Sequence, residues 1–191
     1  MKCNFLTRLN IEFIRLVHSR LSAALSAKQN LKGDNTMVKI MFVCHGNICR
    51  SPMAEIIFKD MVRQSHKESD FYIASSATST EEIYRDRGNP IYPPAKAELK
   101  KHGYVFPEHY ATLLKKSDYE NYDIFVGMDS ANIRNMLRIF GGDQQGKVKK
   151  LLDYDTGGDV SDPWYTDRFD LAYSDILRGC RALFKFLTKT C

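Results

Sequence analysis

The chain has 191 residues, 43% hydrophobic and 27% charged, long and apolar enough to bury one sizeable core without disulfide or metal staples. Its five cysteines, Cys3, Cys44, Cys49, Cys180 and Cys191, have no framework spacing, and the odd count argues against a disulfide scaffold. The net charge of +5 is concentrated in residues 1–36, which hold +4 of it; the remaining chain has mixed signs and no basic stripe with interleaved aromatics, so no nucleic-acid partner is expected.

In residues 1–36, Leu6, Leu9, Phe13, Leu16, Val17, Leu21 and Leu25 recur at helical spacing among arginines and serines, the pattern of a basic amphipathic helix. Arg8, Glu12 and Arg15 interrupt any secretory apolar core, and the segment is too polar to span a bilayer. We read it as a dispensable leader or an artefact of assigning the start upstream of Met37; the alternative is a segment that lies on a membrane surface. The domain proper is expected over residues 37–191.

From Met37 strands alternate with helices. Val38 to Val43 is an apolar, β-branched run typical of a short buried strand. Pro52 sits where a first helical turn tolerates proline, and Ala54, Ile57, Phe58, Met61 and Val62 follow on one face. A second strand is expected at Phe71–Ser75 and a short helix at Pro94–Lys101, closed by His102 and Gly103. A third strand is expected at Asp123–Met128. Asp129 can cap a helix from Ser130 to Phe140 that stops at Gly141 and Gly142. Lys147–Leu152 reads as the fourth strand. The last helix has a continuous apolar stripe from Phe169 through Ala172, Tyr173, Ile176, Leu177, Cys180, Leu183 and Phe184 to Leu187, which assigns Cys180 to the core. Such alternation predicts an α/β fold, a doubly wound four-stranded parallel sheet with helices on both faces. Its ligand site belongs beyond the carboxyl ends of the strands.

At that place the chain reads Cys44-His-Gly-Asn-Ile-Cys-Arg-Ser-Pro52. A turn from strand into helix points unpaired backbone N–H groups and the positive end of the helix dipole at its mouth, which makes an anion site. Arg50, closing the loop opposite Cys44, can grip two oxygens of a tetrahedral anion. The same donors and field favour thiolate over thiol at Cys44, beneath the anion.

Cys44, Gly46, Asn47, Cys49, Arg50, Ser51 and Pro52 together resemble the loop of the low-molecular-weight protein tyrosine phosphatase family. Cysteine, five residues and arginine would be a weak signal alone; with the other positions and the strand-loop-helix setting it is a specific one. The resemblance implies phosphotyrosine hydrolysis through a cysteinyl-phosphate, with no metal and no cofactor, and we find no clustered metal-ligand set. A thiolate enzyme needs a reducing compartment, so a cytoplasmic location is expected, and the implied partner is a phosphotyrosine-containing protein.

A proton donor to the leaving phenolate must lie opposite the sulfur. Between the fourth strand and the last helix, Asp155, Asp159, Asp162 and Asp167 are candidates by position alone. Asp162, held extended before Pro163, is the one the resemblance selects, since the family's general acid belongs to an Asp-Pro pair here. Gly157 and Gly158 suggest that this segment is mobile. Trp164 and Tyr165 match the family's aromatic wall around the pocket; the alternative is that they pack under the last helix. The resemblance also assigns Asn47, Ser51, Ser75 and His109 to a hydrogen-bond network supporting the loop, with Asn47 left-handed and Ser51 able to donate to the sulfur. His45, Gly46, Asn47, Ile48 and Cys49 would offer backbone N–H groups to the phosphate, and the His45 side chain would lie at the rim. Cys49 is placed either to trap an oxidised Cys44 as a disulfide or simply to pack.

The chain departs from the family's pattern at Ser75-Ser76 and at Tyr110-Ala-Thr-Leu-Leu114, which bears on rim contacts. Three rival readings remain. A thioredoxin-linked arsenate reductase shares the loop but needs a further cysteine pair, for which Cys180 and Cys191 are poorly suited. A protein arginine phosphatase would carry Thr at Ile48. A phosphate-binding module without turnover would have no need of Cys44, Arg50 and Asp162 together.

Overall fold

The computed structural model describes residues 37–189; the leader and its amphipathic pattern lie outside them. Four parallel strands, β1 (Val38–Cys44), β2 (Phe71–Ala77), β5 (Ile124–Gly127) and β6 (Val148–Lys150), form one sheet in the order β2-β1-β5-β6. In β1 every residue but Lys39 is buried, because a parallel strand with helices on both faces has no solvent side. The two-residue alternation of side chains assigns them to different layers. Ile40 and Phe42 pack with helix α1 (Arg50–Gln64), α2 (Pro93–Lys101) and α6 (Phe169–Lys189). Met41 and Val43 face the other way, into a cluster with Phe125, Met136 and Phe140 beneath α4 (Ser130–Phe140). The short α3 (Asp118–Asn121) lies on that side, with Tyr119 stacked on Phe125.

The stripe of α6 from Phe169 to Leu187 covers α1, and Cys180 is fully buried within it. Phe58 of α1 meets both Phe71 and Phe184, with centroids 6.1 and 5.9 Å apart. Helix α4 is capped by the Asp129 side chain, which accepts from Asn132 N at 2.7 Å, and it ends at left-handed Gly141. The expected doubly wound fold with helices on both faces is the one observed.

One expectation needs correction. The fourth strand is shorter than Lys147–Leu152: after Lys150 the chain tightens into a 3-10 turn, Leu151–Tyr154, because Leu151 and Leu152 turn into the core instead of extending the edge. The first helix begins at Arg50, which puts Pro52 at its third position, within the first turn as expected. A hairpin was not foreseen: β3 (Ile83–Tyr84) pairs antiparallel with β4 (Arg87–Gly88) through Arg85 and Asp86, both at positive φ, 47° and 65°. Two left-handed residues in succession make the mirror-image turn that suits strand twist, and neither residue type advertises it as Asn-Gly would.

Chain order reverses between β1 and β5: β1 leads to β2 on one side, and β5 and β6 extend the sheet on the other. The crevice beyond their carboxyl ends is where ligands bind in such sheets. Cys44 ends β1 there, and Asp129 lies just beyond the end of β5.

Candidate active site

Residues 44–50 wrap the start of α1, and three of their carbonyls are taken up from outside the loop. Thr78 N donates to Cys44 O at 3.0 Å, Ser79 N to His45 O at 3.0 Å, and Tyr92 N to Ile48 O at 2.8 Å. Taking up the carbonyls from outside orients the loop N–H groups toward its centre. Cys49, the N-cap of α1, offers no side-chain cap, so the first helical N–H groups also remain for an anion. A Cβ at Gly46 would come within 2.8 Å of Glu82 Cγ, so a larger residue would have to push that side chain aside. Glu82 is held across the loop by Asn89, whose Nδ2 donates to its carboxylate at 2.8 Å.

Cys44 is 3% exposed. Its sulfur lies 3.0 Å from Ser51 Oγ and accepts from Asn47 N at 3.3 Å. Asn47 is fully buried and left-handed, φ 57°, a conformation that Asn tolerates. Its Nδ2 donates to Ser51 Oγ at 2.9 Å and to Ser75 Oγ at 2.8 Å, and its Oδ1 accepts from Thr112 N at 2.9 Å. Ser75 Oγ passes the chain on to Glu55 at 2.5 Å, and His109 Nδ1 lies 3.7 Å from the same carboxylate oxygen. Thus Asn47, Ser51 and Ser75 are joined directly, and His109 meets both the Glu55 carboxylate and the Asn47 backbone. Burial pushes the His109 pKa down, against the pull of Glu55, and so favours the neutral ring. The Tyr110–Leu114 segment runs along β2, with Ala77 N donating to Thr112 O at 2.7 Å and Leu114 N to Ala77 O at 2.9 Å. This departure from the family's pattern therefore supplies support for the loop.

Arg50 is 5% exposed and held between two carboxylates. Its Nη1 donates to Asp129 Oδ2 at 2.7 Å, and its Nη2 lies 2.7 Å from Asp162 Oδ2. Burial opposes the guanidinium charge, but Cys44, Asp162 and Asp129 outweigh it and push the Arg50 pKa upward. Burial, reinforced by Cys44, pushes the Cys49 thiol up as well, so Cys49 stays protonated.

Asp162 reaches Arg50 because its own loop is docked. Val160 N donates to Met128 O at 2.8 Å, and Ser161 Oγ donates to Asp175 at 2.8 Å. Asp159 accepts from both Ser130 Oγ and Lys150 Nζ at 3.0 Å. The segment expected to be mobile is pinned at three successive residues, and positive φ at Gly157 and Gly158 serves the turn into them. Asp162 Oδ1 accepts from Trp164 N at 3.1 Å, which starts the four-residue helix α5 (Pro163–Thr166). Trp164 and Tyr165 are 66% and 85% exposed and do not pack under α6. Trp164 faces Tyr92, with centroids 5.9 Å apart, and Tyr92 in turn meets Phe169. Opposite, His45 Nε2 lies 2.9 Å from Glu81 Oε2 at the rim.

Asp129, Glu55, Tyr92 and Thr112 have places here that the sequence reading did not assign. Only Asp129 had a signal: a carboxylate just past the strand next to β1, at the crevice where ligands bind. Among the described residues no three His, Cys, Asp or Glu side chains form a metal-ligand group, and no helix is long and apolar enough to cross a membrane.

The family model for low molecular weight phosphotyrosine protein phosphatase matches residues 39–191. The chain is 33% identical over 156 residues to the low molecular weight protein-tyrosine-phosphatase YfkJ of Bacillus subtilis, covering 80% of this chain and 97% of that protein. It is 35% identical over 152 residues to the low molecular weight phosphotyrosine protein phosphatase of Gallus gallus, covering 76% and 93%. The crystal structure of YfkJ superposes with a TM-score of 0.73 at 31% identity, covering 81% of this chain and 96% of that one. That of a low molecular weight protein tyrosine phosphatase from Streptococcus pyogenes gives 0.69 at 32% identity, covering 80% and 93%. A strand-to-helix loop around a buried sulfur thus sits on the fold and in the sequence context of these proteins, and the chain belongs to the low molecular weight phosphotyrosine protein phosphatase family.

Proposed function

We propose that residues 37–191 hydrolyse phosphotyrosine in proteins through a cysteinyl-phosphate. The observation that carries this reading is that Cys44, Arg50 and Asp162 meet at one mouth, with the sulfur at the bottom and the carboxylate at the rim. Cys44, as thiolate, attacks phosphorus in line; the S–P bond forms as the bond to the phenolic oxygen breaks, and Asp162 gives that oxygen its proton. The N–H groups of residues 45–50 and the Arg50 guanidinium hold the equatorial oxygens. In the second displacement Asp162 takes a proton from water, the water oxygen attacks phosphorus, and sulfur leaves with Ser51 Oγ beside it at 3.0 Å. No other group need change protonation.

Without a phosphate, Asp162 is paired with Arg50 Nη2 while Asp129 holds Nη1. An arriving phosphate competes with Asp162 for Nη2, so binding releases the carboxylate toward the leaving oxygen, where it takes up from solvent the proton that it then donates, while Asp129 keeps the guanidinium in plane. Selectivity for tyrosine follows from depth. Cys44 is buried beneath the Tyr92–Trp164 wall, and a phenyl ring spans that distance where a serine or threonine stem falls short.

Rapid quenching with labelled phosphotyrosine peptide tests the covalent step. Phosphate is expected on Cys44 in the pre-steady state, and Cys44→Ser is expected to lose about 10⁴-fold or more in kcat while still binding the peptide. Product accumulating with no adduct on Cys44 would overturn the reading.

A further inference from the structure

The carboxyl edge of the sheet continues beyond the Cys44 loop. Cys44 lies beside Ala77 in register, Leu113 bridges to Ala77 in turn, and Leu114 N donates to Ala77 O at 2.9 Å. Lys115 and Lys116 follow at once, two strand spacings or about 10 Å from Cys44. On the same face Leu114 shares a buried cluster with Met136 of α4. Asn135 of α4 donates to Thr78 Oγ1 at 3.5 Å, and Thr78 Oγ1 donates to Cys44 O at 3.4 Å. Arg138 Nη1 donates to Asn135 Oδ1 at 3.1 Å, and Arg134 lies one turn nearer the mouth, where α4 starts after Asp129.

Lys115, Lys116, Arg134 and Arg138 are all exposed, and no ion pair holds any of them among the described residues. The nearby Asp118 carboxylate accepts from Lys115 N at 2.8 Å. Arg134 and Arg138 stand at a spacing where like charges repel, and the helix dipole favours a cation only in the last turn, at Arg138. Across the mouth the charge is reversed: the base of the β3–β4 hairpin carries Glu81, paired with His45, and Glu82, held by the neutral Asn89. The rim thus has a basic side, which the fold does not balance, and an acidic side.

We infer that the basic side docks acidic residues that flank the phosphotyrosine of the protein substrate. The inference rests on the phosphatase reading above. Arg134 and Arg138 lie about 6 and 12 Å along α4 from its start at the mouth, and two to four extended residues span about 7–13 Å. Acids at those positions therefore reach the cations while the phosphate stays over Cys44. The anchored phosphate holds them there at high effective concentration, which makes weak surface pairs count. Acids on the other flank meet Glu81 and Glu82, so the preference has a direction along the peptide. A nucleic-acid duplex or a lipid surface laid over the mouth would meet those carboxylates as well as the cations.

Phosphotyrosine peptides with three glutamates two to four residues before the phosphotyrosine, or at the same places after it, test this on the full chain against the matching glutamine peptides. One glutamate placement is expected to raise kcat/KM about three- to tenfold at low ionic strength, carried by KM, as two or three exposed ion pairs would give. The other placement should gain nothing. The gain should vanish in about 0.5 M salt and in the R134E/R138E protein, with K115E/K116E as the second variant should the first lose turnover of p-nitrophenyl phosphate. The affinities of the same peptides for the Cys44→Ser protein read docking without turnover. A parent protein inactive on p-nitrophenyl phosphate would therefore count against the phosphatase reading, while the glutamate-to-glutamine affinity ratio still decides docking. Equal values for glutamate and glutamine peptides in both placements overturn the inference. So does a gain of the same size in both placements, a gain that survives charge reversal, or a protein that binds phosphatidylserine vesicles or a nucleic-acid duplex but not the glutamate peptide.

Discussion

Asn47 at the floor of the site and Trp164 at its rim differ in everything that holds a side chain in place. Asn47 is fully buried, and four hydrogen bonds tie it to Cys44, Ser51, Ser75 and Thr112. Trp164 is two-thirds exposed, anchored by its backbone N–H to Asp162 and by one ring contact with Tyr92. On the reading proposed above, the floor presents donors to an anion that is the same in every substrate, and it is buried and fully hydrogen-bonded. The rim meets the part that varies, and it is built from surface contacts that exchange at little cost. Arg50 joins the two: one nitrogen faces Asp129, fixed on α4, and the other faces Asp162, on the docked loop.

That contrast can be broken most severely at Asp129. Asp129→Asn preserves the helix cap, because Asn caps as well as Asp, but it removes one of the two charges that orient Arg50. We expect kcat/KM to fall about 10²-fold, as misplacing a reacting group by about 1 Å does, with the melting temperature nearly unchanged. A matching loss of stability would show that Asp129 serves the fold more than the guanidinium.

Asn47→Ala attacks the floor itself. It takes the amide donor from Ser51 and Ser75, leaves Thr112 N without its partner and puts alanine at positive φ, so we expect a loss of about 2–4 kcal/mol in denaturant unfolding. Activity should fall with it, since the sulfur loses its ordered cradle. A variant of full stability and low activity would mean that the network acts on Cys44 alone.

At the rim the expected effect is smaller and is confined to binding. Trp164→Ala should raise KM for a phosphotyrosine peptide by about three- to tenfold, the worth of one aromatic contact. Inhibition by inorganic phosphate, which never touches the wall, should not move. If phosphate inhibition weakened equally, the tryptophan would be holding Asp162 and not the phenyl ring.

The smallest effect is a pH dependence beneath the floor. Burial holds the His109 pKa below its ordinary value, so the unfolded chain binds the proton first as pH falls. The stability contributed by the neutral ring is complete above about pH 6.5 and is lost as pH falls from there through the folded-state value. His109→Gln should flatten the unfolding free energy across that window; an unchanged slope would mean that the acid sensitivity arises at the carboxylates.

Most of the floor was legible in the chain because its parts are close in sequence. Cys44 to Ser51 is a single turn between a buried strand and an amphipathic helix, and the spacing alone places sulfur, backbone donors and guanidinium around one point. Asp129 was read as a helix cap from the residue that it precedes, which is correct as far as local structure goes. Its second bond, to Arg50, depends on β5 lying beside β1, and nothing between residues 50 and 129 announces that. The hairpin at residues 83–88 was missed for a different reason. Its turn uses Arg85 and Asp86 at positive φ, held there by the strands on either side, where propensity alone would have called for glycine or asparagine.

The acid loop divides the two kinds of information most clearly. Two glycines in sequence suggested mobility, but Val160, Asp159 and Ser161 are docked on Met128, Lys150, Ser130 and Asp175, partners drawn from the end of β5, β6, the start of α4 and α6. By itself the sequence determined the alternation of strands and helices, the anion-binding turn and the sulfur within it, because periodicity and short-range spacing suffice for these. Only the tertiary structure decided which carboxylates hold Arg50, what supports Asn47 and which aromatic rings stand at the mouth, because each of those depends on segments brought together by burial of the sheet.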